Sequence, residues 1–217
     1  MKKIMLLLVV MTLSMSAAAE SKYWDGSRPD HLFTFGVRAG INFSKQYAMD
    51  NQSDRSMRFG YQGGVTADIN LARSFSINTG VFYIQKGWKT DYDDARGKIE
   101  KKDNASYIEI PLQASYRVNL SDQVQFQLNI GPYFAIGVSG KQKVTNTFAN
   151  GDSYEIDSFD ELEGGKKFDC GLAVGAAITV SHVYFGIGYE RGLMNVSRIE
   201  NTKFQNGSIA ISLGYNF

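Results

Sequence analysis

The chain has only two histidines, and their positions decide whether acid–base or nucleophilic chemistry is available. His31 precedes the first regular segment, and His182 directly follows Ser181 in a short polar turn. Adjacent residues in a tight turn point their side chains apart, and no inward carboxylate lies nearby in the sequence to orient the His182 ring, as a catalytic triad requires. We therefore predict no catalytic residue and interpret both histidines as polar residues of connecting segments.

Two acidic segments are the candidates for an ion site. They are TDYDDARG at 90–97 and NGDSYEIDSFDELEGG at 150–165. Calcium takes about six to eight oxygen ligands, but neither segment has the spacing of an EF-hand loop, and Lys and Arg lie close by. We interpret both as solvated surface loops and predict no metal site and no cofactor.

The elements around these loops are strands. Strict alternation of apolar and polar residues is the signature of a strand with two different faces, and helical periodicity fits none of the runs. The mature chain contains eight such runs, at about 33–43, 58–70, 74–88, 105–119, 123–141, 168–180, 183–193 and 207–217.

The connections between the runs alternate in length. Those at 71–73, 120–122 and 181–182 are short, whereas those at 44–57, 89–104, 142–167 and 194–206 are long and polar. This rhythm is typical of an even-stranded barrel in the outer membrane, with short turns at one rim and long loops at the other. We predict an all-β fold: an eight-stranded antiparallel up-and-down transmembrane β-barrel over 33–217, without a second domain.

The alternative is a soluble barrel of the lipocalin type, whose apolar side faces inward. Its other face would then meet water and carry many Lys and Glu residues. The polar face of this chain consists mainly of Gly, Ala, Ser, Thr, Asn and Gln with few charges. This composition suits a crowded lumen, and aromatic residues near both strand ends suit the two membrane interfaces.

Six charged residues fall on the inward face. Arg38, Lys86 and Arg117 are balanced by Asp68, Glu109 and Glu190. Isolated charges in a tight lumen are disfavoured by desolvation unless they are paired and hydrogen-bonded. We predict that these six form a paired network that crosses the lumen and plugs it.

Two prolines, Pro111 and Pro132, stand inside predicted strands. Proline cannot donate to a strand ladder, and a closed barrel has no edge to accommodate it. Each is therefore expected to mark a bulge or locally broken pairing.

The first residues, MKKIMLLLVVMTLSMSAAAES, have the three parts of a secretory signal peptide. Lys2 and Lys3 form the basic head, residues 4–13 are mostly apolar, and Ala17 and Ala19 provide the cleavage site. We predict a signal peptide at 1–19, cut after Ala19, and a periplasmic lead-in at 20–32.

The bulk composition excludes other classes of protein. The formal charge of +1 and the pI near 7.7 offer no field for nucleic acid. The single cysteine, Cys170, excludes an internal disulfide.

The sequence resembles the PorT-like outer-membrane β-barrel family of Bacteroidetes. The similar segments include GVRAGINFS, FSINTGVFYIQKGWK, YIEIPLQASYRV and the closing ISLGYNF, across about 33–217. The resemblance implies a Gram-negative outer membrane, and PorT itself is implicated in type IX secretion. The terminal aromatic residues, Tyr215 and Phe217, also resemble the signal that the barrel-assembly machinery reads.

These observations lead to three readings of the function. The first is a non-enzymatic outer-membrane barrel whose extracellular loops bind a surface ligand, or an extracellular or envelope protein partner in an assembly role, including one associated with type IX secretion. The second is a narrow, porin-like channel, and the third is a lipid-modifying barrel enzyme. An eight-stranded barrel is just wide enough for side chains to fill it, which favours the first.

Overall fold

The computed structural model describes residues 25–49, 55–94, 97–146, 153–160, 164–199 and 202–217. The predicted signal peptide lies outside these residues. Within them, no helix is long and apolar enough to cross a membrane. The strands are β1 (Phe33–Ala48), β2 (Arg58–Ala72), β3 (Phe75–Asp94), β4 (Gly97–Asn119), β5 (Val124–Asn146), β6 (Ser153–Asp157), β7 (Phe168–Val180), β8 (Val183–Gly192) and β9 (Phe204–Asn216).

Eight of the strands form a closed antiparallel ring in the order β1, β2, β3, β4, β5, β7, β8, β9. The ring closes between the first and last strands, from Gly36 opposite Asn216 to Ala48 opposite Phe204. Closure gives the backbone groups of both edge strands a partner, which lipid demands. The predicted fold class is confirmed.

The two faces of the ring have opposite chemistry. Outward side chains are large and apolar, such as Phe35, Val65 and Ile187, which are 58%, 57% and 56% exposed. Inward side chains are polar and buried, such as Asn42 and Ser115. Since a soluble barrel needs the reverse arrangement, the lipocalin alternative is wrong.

Aromatic residues border the outward apolar surface at both rims. Phe43 packs edge-on against Phe59, and Tyr61 stacks on Tyr83, at the rim with long connections. On β4 the belt between the two rims runs from about 108 to 116, which is the length of a membrane-crossing strand.

The rim with short connections also holds the segment that precedes β1. Asp25 N–H donates to Ser74 Oγ over 2.9 Å, and Arg73 pairs with Asp30 at 2.9 Å. The residues from Asp25 therefore lie against the β2–β3 turn.

Several strands continue beyond the belt at the long-loop rim, where the sequence predicts loops: β1 extends to Ala48 and β9 begins at Phe204, and β3, β4 and β5 extend further. β3 and β4 remain paired from Lys89 opposite Lys102 to Asp94 opposite Gly97, and β6 pairs with residues 141–145 of β5. We call residues 89–104, 141–146 and β6 the extension. The prediction of loops at 89–104 and throughout 142–167 is wrong, because residues 89–94, 97–104, 142–146 and 153–157 lie in strands. Charged and polar residues predominate in the first three of these stretches, and the alternation of β6 is only five residues long.

The two prolines interrupt the ladders without changing the register. Between β3 and β4, pairing stops after Thr79 opposite Leu112 and resumes at Phe82 opposite Glu109. Between β4 and β5, it stops after Pro111 opposite Tyr133 and resumes at Ala114 opposite Ile130. The predicted local break in pairing is confirmed, whereas Pro132 still pairs regularly with β7.

Candidate functional site

A first group of lumen charges lies nearer the short-turn rim. Arg117 Nη2 is 3.0 Å from Asp68 Oδ2, and its Nη1 donates to Asn70 Oδ1 over 2.6 Å. Asn78 donates to the other oxygen of Asp68 over 2.6 Å. Asp68 and Asn70 lie on β2, Asn78 on β3 and Arg117 on β4. Alternate residues of a strand face the same side, so all four side chains point into the lumen. This group ties β2, β3 and β4 together across the lumen.

Arg38 does not join an ion pair with any carboxylate of the described residues. Its guanidinium carbon lies 3.8 Å from the centre of the Tyr184 ring. The Nε and Nη2 atoms of Arg38 are buried without a hydrogen-bond partner within the described part of the chain. Arg38 is therefore held by a cation–π contact, and the prediction that equal numbers of acids and bases would pair fails at this residue.

A second group spans the lumen higher up, around Lys86. The Lys86 ammonium is 2.7 Å from Glu109 Oε2 and 3.0 Å from Glu190 Oε2, and it lies 4.3 Å from the centre of the Tyr133 ring. Lys86 is 3% exposed. The three charged chains come from β3, β4 and β8, so this group bridges opposite walls of the barrel.

Asp169 is a further acid in this layer that the sequence analysis does not include among the six. Its Oδ2 accepts hydrogen bonds from Tyr133 Oη at 3.2 Å and from Asn206 Nδ2 at 3.0 Å. The alternation of β7 puts Asp169 on the same inward face as Gly171, so the signal was present in the sequence.

The remaining space inside the barrel is small. A void of 90 Å³ lies among Arg38, Asn78, Glu109, Tyr184 and Glu190. A volume of this size holds a few water molecules and gives no continuous aqueous path past the Lys86 layer.

A much larger cavity of 1110 Å³ lies on the other side of that layer. Its walls include residues of the extension and of β1, β3 and β4, residues 55–56, and residues 158–159, 164–165, 196–197, 199, 202 and 204. We call this cavity the vestibule. It is large enough to be a candidate site, and it combines aromatic walls with charged and amide side chains.

An arginine held between two aromatic rings forms one wall of the vestibule. The Arg55 guanidinium carbon is 3.6 Å from the centre of the Trp88 ring and 4.0 Å from that of Phe204. Arg55 Nη1 donates to Gln46 Oε1 over 2.5 Å. The stacking fixes the plane of the guanidinium, so this cation is preorganised.

A buried acid faces the same cavity from β4. Asp103 Oδ1 accepts a hydrogen bond from Ser158 Oγ over 2.5 Å. Burial raises the pKa of Asp103 from 3.8 to about 6, although the Ser158 hydrogen bond opposes the shift. Asp103 lies five residues beyond the belt on β4, about 17 Å along the strand.

An aromatic cluster forms the floor of the vestibule. The Phe159 ring meets Tyr107 edge-on at 5.5 Å and lies over Gly137, where a Cβ would come within 2.2 Å of the ring. Together with Ile84 and Tyr133, these rings form the buried apolar cluster of the chain. The cluster seals the vestibule from the lumen charges beneath it.

The comparison with protein families identifies the fold. The family described as outer membrane protein beta-barrel domain matches residues 19–198. The chain belongs to this family. The protein is therefore an integral outer-membrane barrel, in which short turns face the periplasm and long loops face outward.

Solved barrels of the outer membrane are similar to this chain at low identity. Ail, the attachment invasion locus protein of Yersinia pestis, is 14% identical, with 86% of this chain and 100% of Ail covered and a TM-score of 0.42. OprG of Pseudomonas aeruginosa is 12% identical, with 89% and 99% covered and a TM-score of 0.42. Neisserial surface protein A is 13% identical, with 84% and 97% covered and a TM-score of 0.40. No curated protein matches the chain.

The residues first considered for chemistry lie away from the vestibule of this outer-membrane barrel. His182 stacks on Tyr215 with ring centres 5.5 Å apart at the periplasmic rim. His31 belongs to the lead-in, and its carbonyl accepts a hydrogen bond from Asn70. Neither histidine contacts Ser181 or a carboxylate among the described residues.

The acidic segments lie partly outside the described residues, and two of their described acids, Asp91 and Glu155, contact lysine; Asp91 is 3.2 Å from Lys89. Glu100, which follows the first segment, does the same. Glu100 is 2.7 Å from Lys89 and 2.8 Å from Lys102, and hydrogen bonds from these lysines lower the pKa of Glu100 to about 2. Glu155 pairs with Lys141 at 2.9 Å. Within the described ranges, no group of three or more His, Cys, Asp or Glu side chains is arranged to hold a metal ion.

The terminal aromatic residues lie on the lipid-facing surface at the periplasmic end of β9. Phe217 is 72% exposed, and its ring meets Tyr215 edge-on at 5.5 Å. Phe217 N–H donates to the carbonyl of Phe35 over 2.8 Å. The last residue is thus tied to β1 at the closure of the barrel.

Proposed function

We propose that this outer-membrane barrel is a non-enzymatic binding protein that receives a ligand, or a segment of a protein partner, in its extracellular vestibule. The observation that carries the proposal is a cavity of 1110 Å³ whose floor is sealed by an aromatic cluster and the Lys86 layer. Ligand sites in proteins usually measure about 300–1,000 Å³, so the vestibule is large enough for a sizeable ligand.

The lining indicates the kind of ligand. Arg55, Lys101 and Asp103 line the vestibule, whereas the Asp91 carboxylate is paired with Lys89 at 3.2 Å, so the lining carries two cations and, among the described residues, one acid that is free of such a pair. Aromatic walls and amide groups complete the surface, and a few convergent polar groups in an aromatic pocket are typical of a recognition site. A ligand that combines apolar faces with polar or anionic groups fits this lining best.

The second reading, a narrow channel, has less support. A conducting barrel needs a wet path, whereas this lumen holds two layers of bonded charges and a void of 90 Å³ between its walls. The vestibule is therefore closed at its periplasmic side. This closure favours the binding of a ligand over the passage of a solute through the barrel.

Filling the vestibule tests the proposal. Thr90 lies in its wall, and Thr90→Trp should reduce the space without removing a charge. Native mass spectrometry of protein extracted gently from outer membranes should show a bound species, or a cross-linked partner, on the wild type and not on Thr90→Trp. Ser121→Trp, in a periplasmic turn, is the matched control and should retain it. Equal occupancy in all three proteins would overturn the proposal.

We also propose the route by which the chain reaches the membrane. The signal peptide is removed after Ala19, and the barrel-assembly machinery reads Tyr215 and Phe217 at the end of β9. The tie between Phe217 and β1 supports this role for the last strand. Sequencing the amino terminus of the mature protein checks the cleavage site, and any terminus other than Glu20 contradicts it.

A role in envelope assembly, as the PorT-like resemblance suggests, is a more specific version of this proposal, in which the ligand is a protein. The partner would then be a protein of the envelope, such as a component of type IX secretion, and the vestibule with its extension would be its docking site. The cross-linking arm of the experiment distinguishes this case, because it would recover a protein and not a small molecule.

A further inference from the structure

A cluster of two cations and two tyrosines lies on the outward surface where β1, β9 and β8 meet. Lys45 is opposite Gly207 in one ladder, and Gly207 is opposite Arg191 in the next. The three residues therefore form one rung across three strands. Tyr47 and Tyr189 flank this rung on the same outward face.

The contacts hold both cations around a single ring. Lys45 Nζ is 4.0 Å from the centre of the Tyr47 ring, and the guanidinium carbon of Arg191 is 3.6 Å from it. The ring lies over Gly207, where a Cβ would come within 2.3 Å of Tyr47 Cε2. Glycine at this position makes room for the ring, and both positive charges lie against that one ring.

The position of the cluster relative to the membrane is set by the belt of apolar residues. Phe43, Tyr189 and Ile209 form the next outward rung toward the membrane, and they are 40%, 37% and 37% exposed. Outward positions are about 6.7 Å apart along a strand. The cations therefore lie at the level of the headgroups of the outer leaflet, directly above its hydrocarbon.

Three exposed or half-exposed lysines near this rim are paired within the chain. Lys141 contacts Glu155, and Lys89 and Lys102 contact Glu100. Arg191, in contrast, has no carboxylate within ion-pair distance among the described residues, and its described contact is with the face of Tyr47. Lys203 adds a further positive charge two positions above Gln205 on the same face, beside Met49.

We propose that Lys45, Tyr47 and Arg191 form a binding site for the phosphate of a phosphorylated glycolipid in the outer leaflet. Two adjacent cations favour a phosphate over a neutral headgroup through charge-assisted hydrogen bonds. The hydroxyls of Tyr47 and Tyr189, 3.5 Å apart, are further donors for its oxygens. The acyl chains of the lipid would lie against Phe43, Ile209 and the aliphatic residues below them.

The test compares lipids first, because this needs no variant. The folded wild-type protein in detergent is titrated with a diphosphorylated lipid A and with the same lipid after enzymatic removal of its phosphates, and binding is followed by native mass spectrometry. We expect the dephosphorylated lipid to bind about 30-fold more weakly, since each cation near an anionic headgroup is worth about 1 kcal/mol. Equal binding of the two lipids would overturn the proposal.

Variants then locate the site. Lys45→Gln with Arg191→Gln should lose the preference for the phosphorylated lipid, and Gly207→Ala should weaken binding by displacing the Tyr47 ring while both charges remain. Lys141→Gln with Lys143→Gln, a matched neutralisation on the extension, should keep the preference. A heat-dependent gel shift verifies that each variant is folded. If the control pair lost the preference and the first pair kept it, the site would have been placed on the wrong surface.

Discussion

Lys86 is the residue on which the upper lumen layer depends. It stands between Glu109 and Glu190 at 2.7 and 3.0 Å and is 3% exposed. Lys86→Met should leave two carboxylates close together without a cation. Removing one partner of a buried pair costs about 3–5 kcal/mol, so the free energy of unfolding in urea, followed by the heat-dependent gel shift, should fall by this order.

A compensated variant separates charge from packing. Lys86→Met combined with Glu109→Gln and Glu190→Gln removes the cation and both acids together. Because an apolar or neutral replacement of a whole buried pair is often nearly neutral, this triple variant should recover most of the lost stability. A triple variant as unstable as the single one would mean that Lys86 acts through its packing on Tyr133.

Asp103 should make the stability of the vestibule depend on pH. Its folded pKa of about 6 lies above the ordinary value of 3.8, so the folded state binds the proton more tightly than the unfolded state. This contribution is complete below about pH 4 and is lost as the pH rises through about 6, with a magnitude on the order of 3 kcal/mol. Urea unfolding over this range measures it.

Asp103→Asn is the control, because the amide keeps the shape and stays neutral. The difference in stability between the wild type and Asp103→Asn should change across pH 4–7, as only the wild type loses the proton. If the two proteins changed in parallel, the pH dependence would belong to other groups.

At the scale of elements, the sequence specifies a strand clearly only where its two faces meet different surroundings. From Phe33 to Phe43 one face meets lipid and the other the lumen, so alternation reveals the strand. Between Lys89 and Asn104 both faces meet water or the vestibule, and composition alone resembles a loop. β6 alternates, with Tyr154 and Ile156 on one face, but it is only five residues long, and it is not among the eight predicted strands.

The same limit applies to the site. The alternation of residues along each strand identifies which charged side chains face inward, including Asp169. Ion pairs link five of the six predicted residues in two groups. The partner of Arg38 is an aromatic ring, Tyr184, and a count of acids and bases cannot reveal such a contact. The vestibule assembles Arg55, Trp88 and Phe204 from three distant segments, which no local pattern could bring together.

The last strand is the element that closes the ring, and its final residue should matter for assembly. Phe217 is exposed to lipid and bonded to Phe35. Deleting Phe217 should leave unassembled, protease-sensitive protein in the periplasm, whereas Phe217→Tyr should assemble at the wild-type level because it keeps the aromatic terminus. Fractionation with protease treatment measures both. Normal assembly of the truncated chain would show that the barrel-assembly machinery does not recognise Phe217.

At the scale of the whole molecule, the barrel is divided into two compartments. The lumen is crosslinked by Arg117 with Asp68, which joins β4 and β2, and by Lys86 with Glu109 and Glu190, of which Glu190 on β8 lies on the opposite side of the ring. Above them, Phe159 and Tyr107 close the floor of the vestibule. The extracellular end can therefore bind a ligand without opening the membrane.

This division predicts that the wild-type protein does not conduct ions steadily in a planar bilayer. An eight-stranded barrel has an interior just wide enough for its side chains, and the void beside the Lys86 layer measures only 90 Å³. Ions would have to displace buried, paired charges, which desolvation opposes. Replacing Lys86, Glu109 and Glu190 together by alanine should shorten the side chains that cross the lumen and produce flickering currents, with insertion of both proteins verified by the gel shift. Steady single-channel currents from the wild type would show that the lumen is open and that the charged layers line a pore.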